Sequence, residues 1–322
     1  MKKISMVIPC YNEEDNIELT YNEITKTLSF FEKKYSWEII FTDNDSQDLT
    51  QFKIKKLCQK DKKVKAIFNT RNFGVECNTI NGFFASTGDC VIWICCDLQE
   101  PPELILEMIQ KWENGEKLVW GEKIRTEEKG IIYLCRRIYY LLIAKFAEVP
   151  QYQNVIGWGL YDKEIINELR LLNDPNPILR NIVPNLGYKP CLIPYKQRKR
   201  KYGTSSYNFY RYFNTALNSV IHTTKIPMKV MIYLGIFSGC ISFIIGCFYL
   251  FYKILYWDSF TLGLAPLIIM LSFFFSVLIF FLGIIGEYIL AILDRVSFTK
   301  YVVEKERINF DTNGELNDKQ NL

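Results

Sequence analysis

The sequence predicts an α/β fold with a mostly parallel sheet and flanking helices, followed by a C-terminal pair of membrane-spanning helices. Three observations carry this expectation. Apolar runs of strand length alternate with segments of helical spacing between residues 4 and 97. Short clusters of Asp, Asn and Glu follow the ends of successive apolar runs. Two long segments near the C-terminus, 230–252 and 263–286, contain no charged residue.

Taken in order, ISMVIPC at 4–10 is an apolar run suited to a buried parallel strand. The following segment, YNEEDNIELTYNEITKTLSFF, repeats apolar residues near helical spacing. WEIIFTDNDSQDLT is a strand running into an acidic turn and a helix, and KVKAIFNT is a third strand. NFGVECNTINGFFAST reads as a helix, and DCVIWICCD as a fourth strand that ends on Asp97. Further on, IIYLCRRIYYLLIAKFAEV at 131–149 is apolar almost all round, with Arg136, Arg137 and Lys145 as its only bases. It suits an interfacial helix whose arginines reach lipid phosphates. NFYRYFNTALNSVI at 208–221 carries an amphipathic stripe, and both segments could equally be packing helices. The end of the chain, TNGELNDKQNL, is expected to fray.

Each of the two uncharged segments is long enough, at ~1.5 Å per residue, to cross a hydrocarbon core of roughly 30 Å. The connection 253–262 is short, which makes the pair a hairpin. Lys225 and Lys229 precede the first segment, and Arg295, Lys300, Lys305 and Arg307 follow the second. The positive-inside rule then puts both termini in the cytoplasm, with Tyr256 and Trp257 at the opposite interface.

The net charge of +4 is too weak to imply a nucleic-acid partner. The ten cysteines lack metal spacing and, with no secretory leader in view, are expected to be reduced thiols facing the cytosol. His222 is the single histidine, which excludes a His-rich metal site and argues against a Ser-His-Asp triad.

In α/β sheets ligands bind beyond the carboxyl ends of the strands. Tyr11, Asn12 and Glu13 follow the first strand, Asp43 to Asp48 the second, and Asp97 and Gln99 the fourth. Three such clusters on one edge indicate a nucleotide site. Neither G-x-G-x-x-G nor G-x-x-x-x-G-K-[ST] occurs, so within a Rossmann-like sheet the nucleotide is not expected to be NAD, and a P-loop ATPase is excluded. Without a glycine cradle, side chains would hold base and ribose, and a metal would hold the diphosphate.

VIPCYNEEDNI, FTDNDSQDLT, RNFGVECN and DLQEPPEL resemble the family 2 glycosyltransferases of GT-A fold, and in particular the polyprenyl-phosphate sugar transferases. The resemblance runs from about residue 3 to 295 and takes in the two C-terminal segments. It implies that Pro9, Tyr11, Asn12 and Glu13 contact the nucleobase and ribose, with Asp43 beside them. It also implies that Asp97 and Gln99 ligate Mg²⁺ or Mn²⁺ at the sugar diphosphate, Asp97 serving catalysis as well.

Several positions depart from the family pattern. Asn44 and Asp45 stand where Asp and Gly are usual, and Cys95 stands at the first acid of the metal motif. One acid and an amide suffice for Mg²⁺ in principle, because water and phosphate complete its octahedron; a thiolate is a poor ligand for so hard a cation. Gly157 and Gly159 replace an acid and an arginine, while Asp162 matches a later acid that could equally cap a helix beginning near Lys163. A missing base is tolerable for a phosphate acceptor, whose second pKa is around 6, and damaging for a hydroxyl acceptor. The run KQRKRK at 196–201 is either a solvated loop or a phosphate clamp, in which Lys199, Arg200 and Lys201 would meet donor or acceptor phosphate and Arg200 would serve catalysis.

The resemblance thus implies an inverting transferase that moves a sugar from a nucleotide-sugar, UDP-sugar favoured, to polyprenyl (undecaprenyl) phosphate for cell-surface glycan synthesis. Two alternatives stay open: transfer to a hydroxyl of a lipid-linked glycan, and a catalytically silent nucleotide-sugar binder. The expected organisation is a cytoplasmic catalytic domain over 1–206, a juxtamembrane helix over 207–228, two spans within 229–293 and a cytoplasmic tail over 294–322. The expected setting is the inner (plasma) membrane, with membrane lipids as partners and a homo-oligomer compatible with the sequence.

Overall fold

The computed structural model describes residues 1–124, 152, 154–172, 174, 177–198, 233–237, 240–241, 244, 251, 254–255, 264–296 and 302–310. The chain divides into two compact units, one of residues 1–136, 149–206 and 298–322, the other of 137–148 and 207–297.

The first unit is built on one eight-stranded sheet. Its first half alternates β1 (Lys3–Cys10), α1 (Ile17–Ser29), β2 (Ser36–Asp43), α2 (Thr50–Lys60), β3 (Val64–Asn69), α3 (Val75–Ala85), β4 (Cys90–Trp93) and α4 (Leu104–Glu113). β5 (Leu118–Lys123), β6 (Gly159–Asp162), α5 (Lys163–Leu172), α6 (Leu179–Asn185) and β7 (Cys191–Tyr195) follow, and β8 (Glu304–Ile308) joins from the far end of the chain. The strand order is β7-β5-β6-β4-β1-β2-β3-β8. β1 pairs parallel with both β2 and β4, β2 with β3, and β5 with β7. β6 and β8 run antiparallel to their neighbours, so the sheet is mixed with a parallel majority.

β1 and β2 are buried along almost their whole length, as central strands covered on both faces must be. The helices bury single stripes. In α4 these are Ile105, Met108, Ile109 and Trp112, the i, i+3, i+4, i+7 positions of one face. Burial of Ile17, Ile24 and Leu28 gives α1 the same kind of seam.

At the foot of the sheet, opposite the strand ends that carry the polar clusters, Glu38 gathers four residues from three segments. Its carboxylate accepts from Lys3 Nζ at 2.7 Å, Ser5 Oγ at 2.6 Å and the Thr87 backbone N–H at 2.8 Å. Lys65 Nζ lies 2.9 Å away. Burial alone would raise this carboxyl's pKa, but Lys3, Ser5, Thr87 and Lys65 outweigh it and hold the group at about 2.

Two expectations are corrected here. The fourth strand, expected to reach Asp97, leaves the ladder after Trp93, so residues 94–97 form a loop beyond the sheet. The segment expected to be a plain tail contains β8, which extends the sheet beside β3. Asn309 Nδ2 fastens it by donating to the carbonyls of Cys58 and Val64 at 2.8 and 2.7 Å, and Glu306 pairs with Lys55 at 2.5 Å.

The second unit contributes α7 (Leu264–Val296), 33 residues and about 50 Å long at ~1.5 Å per residue. Its side chains are described at some positions only, and among the described residues no helix is long and apolar enough to cross a membrane. The span expected at 230–252 is described only at scattered helical positions. The helices expected at 131–149 and 207–228 lie outside the described residues.

Candidate active site

The polar clusters meet beyond the carboxyl ends of β1, β2 and β4. The first two interlock through backbone groups. Asn12 N–H donates to Ser46 Oγ at 2.8 Å, and Gln47 N–H donates back to Asn12 Oδ1 at 2.8 Å. Glu13 N–H donates to Thr50 Oγ1 at 2.9 Å, while the Glu13 carboxylate accepts from Asn16 Nδ2 at 2.6 Å. Asn12 takes a positive φ of 54°, and Tyr11 beside it is 45 % exposed at the rim. Pro9 is buried within β1 itself, opposite Thr42.

Asp43 is fully buried at the end of β2. Its Oδ2 accepts from Ser46 N–H at 3.1 Å and Gln51 Nε2 at 2.8 Å, but Oδ1 is buried without a partner. Burial raises its pKa against these donors.

The two departures that follow Asp43 now have a physical account. Asn44 uses both ends of its amide. Nδ2 donates to Asn72 Oδ1 at 2.8 Å and Gly74 O at 3.2 Å, while Oδ1 accepts from Asn69 Nδ2 at 3.1 Å and Phe73 N–H at 3.0 Å. A carboxylate could make only the second pair. Asp45 has φ 64°, the left-handed conformation that favours glycine and that Asp and Asn tolerate best among other residues.

Beyond β4 the chain is pinned where Thr20 Oγ1 donates to Cys96 O at 2.6 Å. Leu98 then takes φ 54°, strain of a kind that persists at functional turns. Gln99 N–H donates to Asp97 Oδ1 at 3.2 Å. The start of the basic run docks here: Arg198 N–H donates to Gln99 O at 2.9 Å, and Gln197 Nε2 to Gln99 Oε1 at 3.3 Å. Arg198 Nη2 meets both oxygens of Glu103 at 2.9 Å, so this base is taken up by a carboxylate.

Glu100 is 2 % exposed, and its Oε2 is buried without a partner. The Cys95 thiol donates to its carboxylate. Burial and then the charge of Asp97 push Glu100 up to about 7, against the Cys95 thiol, its own backbone N–H and Lys123. Burial raises the Cys95 thiol well above its ordinary value, and the charges of Glu100 and Asp97 raise it further, so the sulfur stays protonated. Tyr195, at the end of β7, is raised by burial and by Glu100.

On the β6 side, Gly157 has φ 95° and Gly159 φ 146°. A Cβ at 159 would lie 2.1 Å from Val119 O, so no arginine fits this backbone. Tyr161 hydroxyl donates to Gly157 O. Nearby, the Glu76 carboxyl accepts the Leu179 backbone N–H, and burial pushes it up to about 7 despite Arg180. Asp162 sits at the opposite end of β6, where it accepts from Trp112 Nε1 at 2.7 Å and from Glu164 N–H at 2.9 Å. It therefore caps α5 at the edge of the sheet away from the strand-end clusters.

Tyr11, Asn12, Glu13, Asp43, Asp97 and Gln99 thus share one edge, with Pro9 buried just behind. Arg136, Arg137, Lys199, Arg200 and Lys201 lie outside the described residues. Glu76 and Glu100 were missed by sequence reasoning, and the only available signal was a carboxylate inside an apolar or proline-bounded stretch. Asp97, Gln99 and the orphaned Glu100 oxygen are hard oxygen donors of the kind Mg²⁺ and Mn²⁺ take. Among the described residues no three His, Cys, Asp or Glu side chains group to hold a metal ion, so a cation here would draw further ligands from water and phosphate.

The family model described as "Glycosyl transferase family 2" matches residues 5–168, just over half of the chain. The chain is 30 % identical over 309 residues to the bactoprenol glucosyl transferase of Shigella phage SfX, covering 95 % of this chain and 100 % of the phage protein. It is 29 % identical over 305 residues to the glycosyltransferase YkcC of Bacillus subtilis (strain 168), covering 94 % and 93 %. Among solved structures, S. aureus TarS 1-349 in complex with UDP-GlcNAc aligns with a TM-score of 0.43 at 13 % identity, covering 69 % of this chain and 67 % of TarS. That last likeness is too distant to bear on the site.

Proposed function

The chain belongs to glycosyl transferase family 2, and from that membership we propose that it carries a sugar from a nucleoside diphosphate to a polyprenyl phosphate at a membrane surface. The observation that carries the donor half is the junction of the β1, β2 and β4 ends, where Tyr11, Asn12, Glu13, Asp43, Asp97 and Gln99 share one edge. The acceptor half draws its support from the similarity to a bactoprenol glucosyl transferase over 95 % of the chain.

In this reading the exposed Tyr11 ring and the Asn12–Glu13 turn receive the base and ribose, UDP being the favoured carrier. Asp97 and Gln99 would hold a divalent cation, which when bound neutralises charge on the departing diphosphate. The acceptor phosphate attacks the anomeric carbon in line, with inversion. It needs no base to ionise it, in keeping with glycine at 157. Arg200, flanked by Lys199 and Lys201, clamps a phosphate, and Arg136 and Arg137 reach lipid phosphates.

The domain assignment follows the same reading. Residues 1–206 together with β8 form the catalytic domain, 131–149 and 207–228 seat it on the lipid, and 230–252 and 263–286 span the membrane, with both termini cytoplasmic. The uncharged composition of both segments and the 33-residue length of α7 support the anchor.

The test is an acceptor comparison. Purified full-length protein is given labelled UDP- and GDP-sugars with polyprenyl phosphate, polyprenol or a lipid-linked disaccharide. Label should enter the lipid phase with the phosphate alone. Transfer only to the disaccharide would replace this reading with the hydroxyl acceptor, and binding without transfer to any acceptor would replace it with the silent binder.

A further inference from the structure

We infer that Glu100 is the second carboxylate of the cation site, filling the part that Cys95 cannot; the inference rests on the reading of Asp97 as a cation ligand. Cys95 is a poor candidate on chemical grounds, because soft sulfur suits neither Mg²⁺ nor Mn²⁺. The same thiol identifies its replacement, since its hydrogen bond goes to Glu100.

Three features of Glu100 fit a ligand and sit poorly with a purely structural acid. It is 2 % exposed, yet its Oε2 has no hydrogen-bond partner. A buried carboxylate oxygen left without a partner is costly, and native proteins retain few of them. Its neighbour is another carboxylate, Asp97, whose charge it feels directly. A buried acid beside a second carboxylate is repelled by it unless a cation or a shared proton intervenes. Finally, Glu100 is followed by Pro101, which disfavours the helical region for the backbone at residue 100. The Cys95 thiol is the side-chain group that holds this carboxylate. Lys123 from β5 and Tyr195 from β7 lie within range of its charge.

The test is Mn²⁺ binding by the full-length protein, read by electron paramagnetic resonance with UDP or GDP present, for the parent and for Glu100→Gln, Cys95→Ala, Asp97→Asn and the double variant Glu100→Gln/Cys95→Asp. Glu100→Gln should weaken Mn²⁺ at least ~10-fold, the lower end of what loss of even an outer-sphere partner costs a metal site. Cys95→Ala should bind like the parent, and restoring an acid at 95 should recover most of what Glu100→Gln loses. Glu100→Gln binding within about twofold of the parent while Asp97→Asn fails would overturn the inference and leave the role of Asp97 intact. Should Glu100→Gln fail to fold, Cys95→Ala decides on its own: lost binding there would make sulfur the ligand and overturn the inference. A parent that binds nucleotide but no Mn²⁺ would overturn both the inference and the metal reading beneath it.

Discussion

Replacing Glu38 by Gln should destabilise the catalytic unit by about 3 kcal/mol at neutral pH. The carboxyl lies at about 2 in the folded protein against an ordinary 4.5, and each pH unit of that difference is worth ~1.4 kcal/mol. The group is 2 % exposed, and its partners Lys3 and Lys65 are 31 % and 12 % exposed, so solvent screening reduces the figure only modestly. Glutamine keeps the shape but leaves both ammonium groups without their counter-charge. Because folding lowers this pKa, the contribution is complete above about 4.5 and is lost as pH falls toward 2. Thermal unfolding of the full chain, followed by tryptophan fluorescence, is the assay. At ~2–4 °C per kcal/mol for a unit of this size, the variant should melt about 6–12 °C below the parent at pH 7. The gap should narrow steadily between about pH 4.5 and 2, since the parent loses there what the variant never had. A gap of a degree or two at pH 7, or one that does not change with pH, would refute the electrostatic account of how β1, β2 and β3 are tied at their base.

Other outcomes follow from the site. Asn44→Asp, although it restores the residue usual in relatives, should cost ~2–5 kcal/mol, because two donors vanish and a buried charge appears; an unchanged melting temperature would contradict this. Asp97→Asn should abolish turnover with melting temperature preserved, and activity persisting in excess EDTA would remove the metal role. Arg200→Ala should lower turnover roughly ten- to a hundredfold through a lost charge-assisted hydrogen bond, and Lys201→Ala less; Arg200→Ala within twofold of the parent would return the run to a solvated loop. A cysteine placed in 254–262 should react with an impermeant reagent from outside the cell and one in the C-terminal tail should not; the reverse pattern would invert the topology.

The parallel half of the sheet was legible because β1 to β4 each carry a short apolar run, the pattern of strands buried on both faces. β8 was not. EKERI is charged and sits at the sheet edge, where burial writes little into sequence, and its partner β3 lies more than two hundred residues away. The strand-end clusters were legible as polar residues in apolar surroundings, but the meaning of their departures was not. Asn44 and Asp45 looked like losses from a motif until the amide network and the positive φ gave each a physical reason. Asp162 could be read equally as an acid of the site or as a helix cap, and only its place at the far end of β6 decides for the cap. Glu100 was hidden by its neighbours, because one strand-end acid beside a glutamine seemed to complete the site. What marks it is a buried Oε2 without a hydrogen-bond partner beside a second carboxylate, a property of the folded chain alone.

The most direct test of sugar transfer to a lipid phosphate is the mass and linkage of the product. Full-length protein incubated with a UDP-sugar and polyprenyl phosphate should yield a lipid heavier by one sugar residue, attached through the phosphate and released by mild acid, with the anomeric configuration inverted. Asp97→Asn protein should yield none. A product in which the sugar sits on a hydroxyl and survives mild acid, or equal yield from Asp97→Asn, would contradict the proposed reaction.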